Sequence, residues 1–191
     1  MIIDLDVNGE HRSANVAGSE SLLTFLRNEL RLPGSKDACE QGECGSCSVI
    51  LDGALVCSCL VMAADCEGSE VATVEGIADA DALNPIQEAM QDGGAVQCGF
   101  CTPGIVVAAT HLFAEVPDPS PDEIVRPLLQ RLIPAARAEL DRHAFTLDEA
   151  RLAEALAEAV KDRPTCFKRP GVQPADNRHR RLLRVGGYRG S

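Results

Sequence analysis

The stretch Cys39-Glu40-Gln41-Gly42-Glu43-Cys44-Gly45-Ser46-Cys47 places three cysteines on one short loop, and Cys59 follows further along the chain. The full spacing is C-x4-C-x2-C-x11-C. Glycine allows the backbone dihedral angles with which three thiolates converge from so short a loop while backbone amides point at the sulfurs. The pattern therefore predicts a metal centre with four thiolate ligands, the last of which arrives from the far arm of a following hairpin.

This three-plus-one spacing is typical of a plant-type [2Fe–2S] centre. A four-cysteine zinc site is the alternative, but zinc sites usually draw their ligands in paired short knuckles. Cys57 is a rival to Cys59 as the fourth ligand, because positions i and i+2 of a strand face the same side. The spacing favours Cys59. We interpret Cys66 as a buried small hydrophobic residue rather than a ligand.

Composition excludes several classes of function. The chain has 191 residues, a formal net charge of −11, five Phe, one Tyr and no Trp, which argues against binding to a phosphate backbone and against stacking on bases. No apolar run approaches the length of a membrane span, and the acidic start lacks the basic region of a signal peptide. Nine cysteines without an export signal indicate a reducing compartment, so we expect a cytoplasmic protein.

The residues before the cysteine loop predict a hairpin and a helix. Apolar and acidic residues alternate over 3–7, and Asn8-Gly9 predicts a two-residue turn with a return strand over 11–16. Ser21 is a candidate N-cap for a helix over 22–30, where leucines recur at helical spacing. This half of the chain therefore begins as a small sheet with a helix across it.

After the loop, a second hairpin is expected over 49–51 and 54–59, and a closing strand over 71–74. From Asn84-Pro85 onward the pattern becomes helical, and Thr102-Pro103 predicts an N-cap with proline at the first position of the next helix. Two later capping boxes predict further helices. They stand at residues 120–123 and 146–149.

A second cysteine cluster lies in Gln97-Cys98-Gly99-Phe100-Cys101-Thr102-Pro103-Gly104, a C-x2-C pair just before a predicted helix N-terminus. The positive end of the helix dipole favours thiolates at that place. Alone, the pair equally suits a redox dithiol or half of a zinc knuckle. Its meaning depends on the first cluster.

Together the two blocks resemble the small iron–sulfur subunit of the molybdenum hydroxylases, the family of xanthine dehydrogenase, aldehyde oxidoreductase and aerobic carbon monoxide dehydrogenase. The resemblance covers about residues 1–126 and includes Thr73-Val74-Glu75-Gly76-Ile77 between the two blocks. It implies an α+β architecture: a β-grasp, ferredoxin-like domain over 1–76 and an all-α, four-helix domain with a second [2Fe–2S] cluster over 77–162. Residues 163–191 are basic and are expected to form a poorly ordered tail.

The resemblance also implies sites and partners. Cys39, Cys44, Cys47 and Cys59 would hold an outer [2Fe–2S] cluster, and Cys98 and Cys101 would supply half of an inner one. Gln97 is similar to the family residue that contacts the pterin of the molybdenum cofactor. The chain would then be an electron-transfer subunit without catalytic residues, partnered by a large molybdopterin subunit and a medium FAD subunit.

The sequence departs from the family where the remaining inner ligands are expected. The family has a Cys-Arg-Cys after the next helix, whereas the matching places here, 133–135 by spacing or 183–188 by local similarity, hold no cysteine. Cys166 is the only cysteine after Cys101. Three interpretations follow: the inner cluster is absent, it uses Cys166 together with His111 or His179, or the reading frame shifts after about residue 127.

Two other functions remain as alternatives to the subunit role. A free-standing ferredoxin would suit the acidity of the chain, but it needs only the first 76 or so residues. A degenerate relative that has lost its inner cluster would suit the missing cysteines. Co-purification separates the first of these from a subunit, because a shuttle comes alone and a subunit brings molybdenum and flavin.

Overall fold

The computed structural model describes residues 1–78, 82–116 and Leu156. This part of the chain is a mixed α+β fold built on a five-stranded sheet, as expected. The helices and strands along the chain are β1 (Ile2–Val7), β2 (Glu10–Asn15), α1 (Leu22–Asn28), β3 (Ser48–Leu51), β4 (Ala54–Cys57), β5 (Glu70–Ala72), α2 (Pro85–Asp92) and α3 (Thr102–Glu115).

The first hairpin is confirmed. β1 and β2 pair antiparallel from Ile2↔Asn15 to Val7↔Glu10. Asn8 and Gly9 both have positive φ, 55° and 79°, which is the backbone that a primed two-residue turn requires. β1 alternates exposed and buried residues, so Ile3, Leu5 and Val7 face a core while Ile2 and the two aspartates face solvent.

The sheet has the strand order β2-β1-β5-β3-β4. β5 runs parallel to β1 and antiparallel to β3, so it joins the two hairpins into one sheet. The predicted closing strand is confirmed, but it spans Glu70–Ala72 rather than 71–74. α1 packs its buried leucines and Phe25 against the sheet, and it begins as predicted with Ser21 as N-cap, whose Oγ accepts from the backbone N–H of Thr24 at 3.2 Å.

α2 and α3 pack around a second core, to which Leu156 also contributes. α2 begins at a capping box, in which Asn84 and Gln87 satisfy each other's backbone N–H groups. The prediction of Thr102 as N-cap of α3 is wrong. Cys101 is the N-cap, because its carbonyl already accepts from Ile105, and the Thr102 hydroxyl is buried without a hydrogen-bond partner.

The segment 73–76 connects the two parts of the fold and is fixed by hydrogen bonds to distant residues. The side-chain amide of Asn8 donates to Thr73 Oγ1 at 3.0 Å, and Asn8 Oδ1 accepts from the Thr73 backbone at 2.8 Å. Glu75 Oε1 accepts from the Gly34 backbone at 2.6 Å. The first hairpin turn and the turn after α1 therefore hold the connection between the sheet and the helices that follow it.

Part of the sequence interpretation lies outside the described residues. This applies to the helices expected after residues 120 and 146, to Cys166 and His179, and to the tail over 163–191. Within the described part, no helix is long and apolar enough to cross a membrane.

Candidate metal centre

The first cysteine loop has the strained conformation that its glycines allow. Glu40, Gly42 and Gly45 have positive φ angles of 51°, 72° and 68°. A Cβ built on Gly42 would lie 2.3 Å from Cδ1 of Leu60. The Leu60 side chain therefore covers the loop at Gly42, and it would have to move aside for any larger residue at this position.

Gly42→Ala should lower both the cluster content and the free energy of unfolding more than Gly68→Ala does. Both glycines have φ of +72°, but nothing lies within 4 Å of a Cβ at Gly68. An L-residue in this left-handed backbone region costs about 1–2 kcal/mol. The control variant Gly68→Ala measures that backbone cost alone, without any clash of the new Cβ. Urea unfolding and iron content test the difference, and Leu60→Ala should restore iron to the Gly42→Ala variant. Equal losses in the two glycine variants would contradict the contact.

Backbone amides point at the sulfurs of the loop, as the glycine spacing predicted. The N–H of Gln41 donates to Cys39 Sγ at 3.4 Å. Burial raises the pKa of the Cys39 thiol, but hydrogen bonds from the backbone of Gln41 and Cys44 outweigh it, and the pKa lies below its usual value. The loop therefore stabilises negative charge on sulfur.

The other side of the centre is held by the turn that follows β4. The backbone N–H and the hydroxyl of Ser58 both donate to the carbonyl of Cys47, at 3.3 and 2.7 Å. These two bonds turn the chain into the 3₁₀ helix Ser58–Leu60. Cys59 therefore lies on this turn rather than on the strand, which ends at Cys57. The expected second strand over 54–59 is two residues too long for this reason.

Cys47 and Cys59 are neighbouring thiols, and each changes the pKa of the other. The Cys57 thiol, when it directs its S–H at this sulfur instead of at the Gly42 carbonyl, lowers the pKa of Cys47 to about 5, together with the backbone and side chain of Cys59. Burial and the neighbouring Cys47 raise the pKa of Cys59 to about 12. Cys47 is therefore the first of the two to ionise. Two adjacent thiolates require positive charge between them, which a metal supplies.

Cys66 lies apart from this group. It is 1% exposed, packs in the core between α1 and the sheet, and its pKa is raised to about 11 by burial and by Asp52 and Asp65. A buried thiol of raised pKa is an inert packing group. This agrees with its interpretation as a small hydrophobic residue.

The second cysteine pair lies at the start of α3. Cys98 is exposed, and Cys101 is half-buried with a pKa raised chiefly by burial. Gln97 is exposed beside them. The first turn of α3 presses against the first cysteine loop, since a Cβ on Gly104 would lie 2.1 Å from the carbonyl oxygen of Gly45. The two cysteine blocks are therefore direct neighbours.

Known families and structures match both halves of the chain. Residues 5–78 match the family "2Fe-2S iron-sulfur cluster binding domain", and residues 73–160 match "[2Fe-2S] binding domain". The chain is 44% identical over 126 residues to the nicotine 6-hydroxylase small subunit of Paenarthrobacter nicotinovorans, covering 66% of this chain and 76% of that one. It is 39% identical over 122 residues to the nicotinate dehydrogenase small FeS subunit of Eubacterium barkeri, covering 64% and 78%. The crystal structure of quinoline 2-oxidoreductase from Pseudomonas putida 86 superposes with a TM-score of 0.72 at 36% identity, covering 86% of this chain and 98% of that one.

The chain belongs to the small iron–sulfur subunits of the molybdenum hydroxylases. The family resemblance drawn from the two cysteine blocks is thereby confirmed. A small iron–sulfur subunit is a non-catalytic part of an oxidoreductase complex, and its role is electron transfer. The free-standing shuttle is not favoured.

In this small iron–sulfur subunit, the first site has the donor set of a [2Fe–2S] cluster. Its cysteines offer thiolates that are stabilised by backbone amides, and hydrogen bonds to the sulfurs help to set the potential of such a cluster. Within residues 1–78 and 82–116, no three His, Cys, Asp or Glu side chains are gathered closely enough to hold one metal ion. A [2Fe–2S] cluster instead takes its four thiolates in pairs on two irons.

The second site does not offer four thiolates. Cys98 and Cys101 are two, and Cys166 is the only later cysteine. His111 follows Cys101 by ten residues, which is about 15 Å along a helix. Its Nε2 lies 3.1 Å from the carbonyl of Gly53, so this side chain is directed at the β3–β4 turn. The described residues therefore do not fit the four-cysteine inner cluster of the family.

Several residues that shape the first site escaped sequence reasoning. Ser58 and Leu60 are the sequence neighbours of Cys59. Nothing in the local pattern shows that Ser58 donates to the Cys47 carbonyl or that Leu60 covers Gly42. Asn8 was interpreted only as a turn residue. The capping box at Asn84 was detectable, because Asn followed by Pro and then Gln at the third position is a known helix-start signature.

Proposed function

We propose that this subunit passes electrons from a large molybdopterin subunit towards FAD on a medium subunit, through an outer [2Fe–2S] cluster held by Cys39, Cys44, Cys47 and Cys59. The observation that carries the assignment is the amide-lined loop, in which backbone N–H groups lower the pKa of Cys39 against the effect of burial. When bound, the cluster supplies one-electron redox chemistry. The protein residues hold it and tune its potential.

Local charge contributes to that tuning. Glu40 and Glu43 are exposed on the first cysteine loop itself, between the proposed ligands. Because reduction adds negative charge to the site, these carboxylates disfavour the reduced form. The hydrogen-bonded amides act in the opposite direction, and both effects arise from residues of this chain.

The architecture that goes with this function is a β-grasp domain over 1–76, a four-helix domain over 77–162 and a basic tail over 163–191. The five-stranded sheet crossed by α1 and the matches to two [2Fe–2S] domain families support the first boundary. Nine cysteines, several of them clustered as metal ligands would be, support a location in the reducing cytoplasm.

We place the contact with the molybdopterin subunit on the exposed face around the second cysteine pair. Leu83, Val96 and Phe100 are 47%, 45% and 45% exposed there, and Gln97, the proposed pterin contact, is exposed next to Val96. A cleft of about 480 Å³ adjoins this face. Clusters of exposed apolar side chains usually mark interaction sites.

Expressed alone, the subunit should be poorly soluble, and co-expression with the large subunit should restore it to the soluble fraction. Phe100→Gln should reduce the amount of large subunit that co-purifies several-fold. Ile2→Gln is the matched control, because Ile2 is 70% exposed on β1 and away from this face. Equal recovery of the large subunit with both variants would place the contact elsewhere.

The proposed function is tested on the purified complex by metal and flavin analysis. We expect molybdenum, FAD and iron to co-elute with this chain, and substrate to bleach the visible absorption of the iron–sulfur centre. A monodisperse single chain with a complete cluster and no molybdenum would instead identify a free ferredoxin.

A further inference from the structure

Cys57 is a fifth cysteine at the first site, and the family spacing gives it no role. It ends β4 and pairs with Ser48, the residue after Cys47. Its Sγ donates to the carbonyl of Gly42 at 3.4 Å, across the ligand loop. The side chain is half-buried, so it lies within the site rather than on the surface.

Cys57 and Cys59 occupy equivalent places on either side of Ser58. The backbone N–H and the hydroxyl of Ser58 both donate to the Cys47 carbonyl. The residue between the two thiols in the sequence is therefore held against a proposed ligand residue. A single peptide of the loop serves both thiols, because Gly42 accepts from Cys57 with its carbonyl and donates to Cys59 with its amide. Both thiols also reach the Cys47 sulfur.

We propose that Cys57 is an alternative fourth ligand of the outer cluster and replaces Cys59 when that thiol is removed. The inference rests on the proposed outer site. In the exchange the Cys57 S–H proton passes to solvent and a sulfur–iron bond forms where the Cys59 bond would stand, with no change in electron count. Because the Cys57 thiol already contacts the Gly42 peptide and the Cys47 sulfur, its sulfur lies beside the position of the Cys59 sulfur.

The test compares variants of the chain in its co-expressed complex by iron content, visible absorption and EPR. Cys59→Ala should keep most of its iron and show a changed EPR spectrum, because the new ligand alters the geometry at one iron. Cys57→Ala should retain both iron and the wild-type spectrum. The double variant Cys57→Ala/Cys59→Ala should lose the cluster, with several-fold less iron than Cys59→Ala. Cys39→Ala is the matched control without a neighbouring spare thiol and should lose the cluster.

Loss of the cluster in Cys59→Ala and also in the milder Cys59→Ser would overturn the inference, as would retention of the cluster in the double variant. Loss in Cys57→Ala alone would make Cys57 the primary ligand and overturn both assignments. Failure of the proposed function would look different, since the wild-type chain would then purify with its cluster signal but without molybdenum or FAD, whatever the cysteine variants show.

Discussion

Cys44→Ser should abolish the [2Fe–2S] absorption and EPR signal of the first site, whereas Cys66→Ser should leave both intact. Cys44 is 6% exposed in the centre of the ligand loop, where its backbone also supports Cys39. Serine presents a hard oxygen in place of the soft thiolate that iron–sulfur clusters require. Cys59 has the spare thiol of Cys57 two residues away, whereas the other cysteines of the first cysteine loop, Cys39 and Cys47, are themselves proposed ligands and cannot replace Cys44. The expected loss is therefore complete.

Cys66→Ser is the matched control because both residues are buried cysteines of the same domain. A hydroxyl in the core between α1 and the sheet costs about 1–3 kcal/mol if it finds no partner. We expect a lower melting temperature with full iron content. Thermal unfolding and iron analysis on the same samples separate the two effects, and equal loss of iron in both variants would refute the ligand assignment.

The purified complex should contain about two irons and two acid-labile sulfides per copy of this chain, with one EPR species, rather than twice that number. The proposed outer site uses four cysteines, and the helical half retains Cys98 and Cys101, with Cys166 as the only later cysteine in the sequence. A mixed site that recruits the tail would have to order that tail over the helices, at a cost in chain entropy. With the inner cluster absent, we expect electron flow from molybdenum to flavin to be severely slowed.

Double substitution at Cys98 and Cys101 should then leave the iron content unchanged. Four irons and two EPR signals, on a chain whose mass matches this sequence, would contradict the prediction. In that event, Cys166→Ser reports whether the tail donates a ligand. A mass that departs from the sequence after about residue 127 would trace the missing cysteines to the reading frame.

The parts of the fold that follow from near neighbours in sequence were predictable. Asn8-Gly9 and the alternation before it specify the first hairpin, and Ser21 specifies the start of α1, because each acts on residues within a few positions. Cys59 was assigned to a strand because the apolar pattern runs through it. The strand ends earlier because the Ser58 hydroxyl donates to the carbonyl of Cys47, eleven residues before it. A hydrogen bond between residues so far apart cannot be predicted from the local sequence pattern.

Long-range contacts also explain the other differences. Thr102-Pro103 has the form of a helix start, yet the helix begins one residue earlier, where Cys101 accepts from Ile105. The motif at 73–76 was recognised only by family resemblance. Its physical reason is the set of hydrogen bonds from Asn8 and Gly34, residues 65 and 41 positions away in the chain.

The contact between Gly104 and Gly45 bears on how this protein can be divided or recombined. A Cβ at Gly104 would overlap a backbone oxygen rather than a movable side chain. At this contact between α3 and the cysteine loop there is therefore room for no side chain larger than the hydrogen of glycine. α3 also packs along β3, and His111 reaches the turn beyond it. In a fragment cut after residue 76, α3 would be missing, and the first cysteine loop would be exposed to water. Chimeras that exchange the helical half between relatives should therefore succeed only where the incoming helix carries glycine at this position.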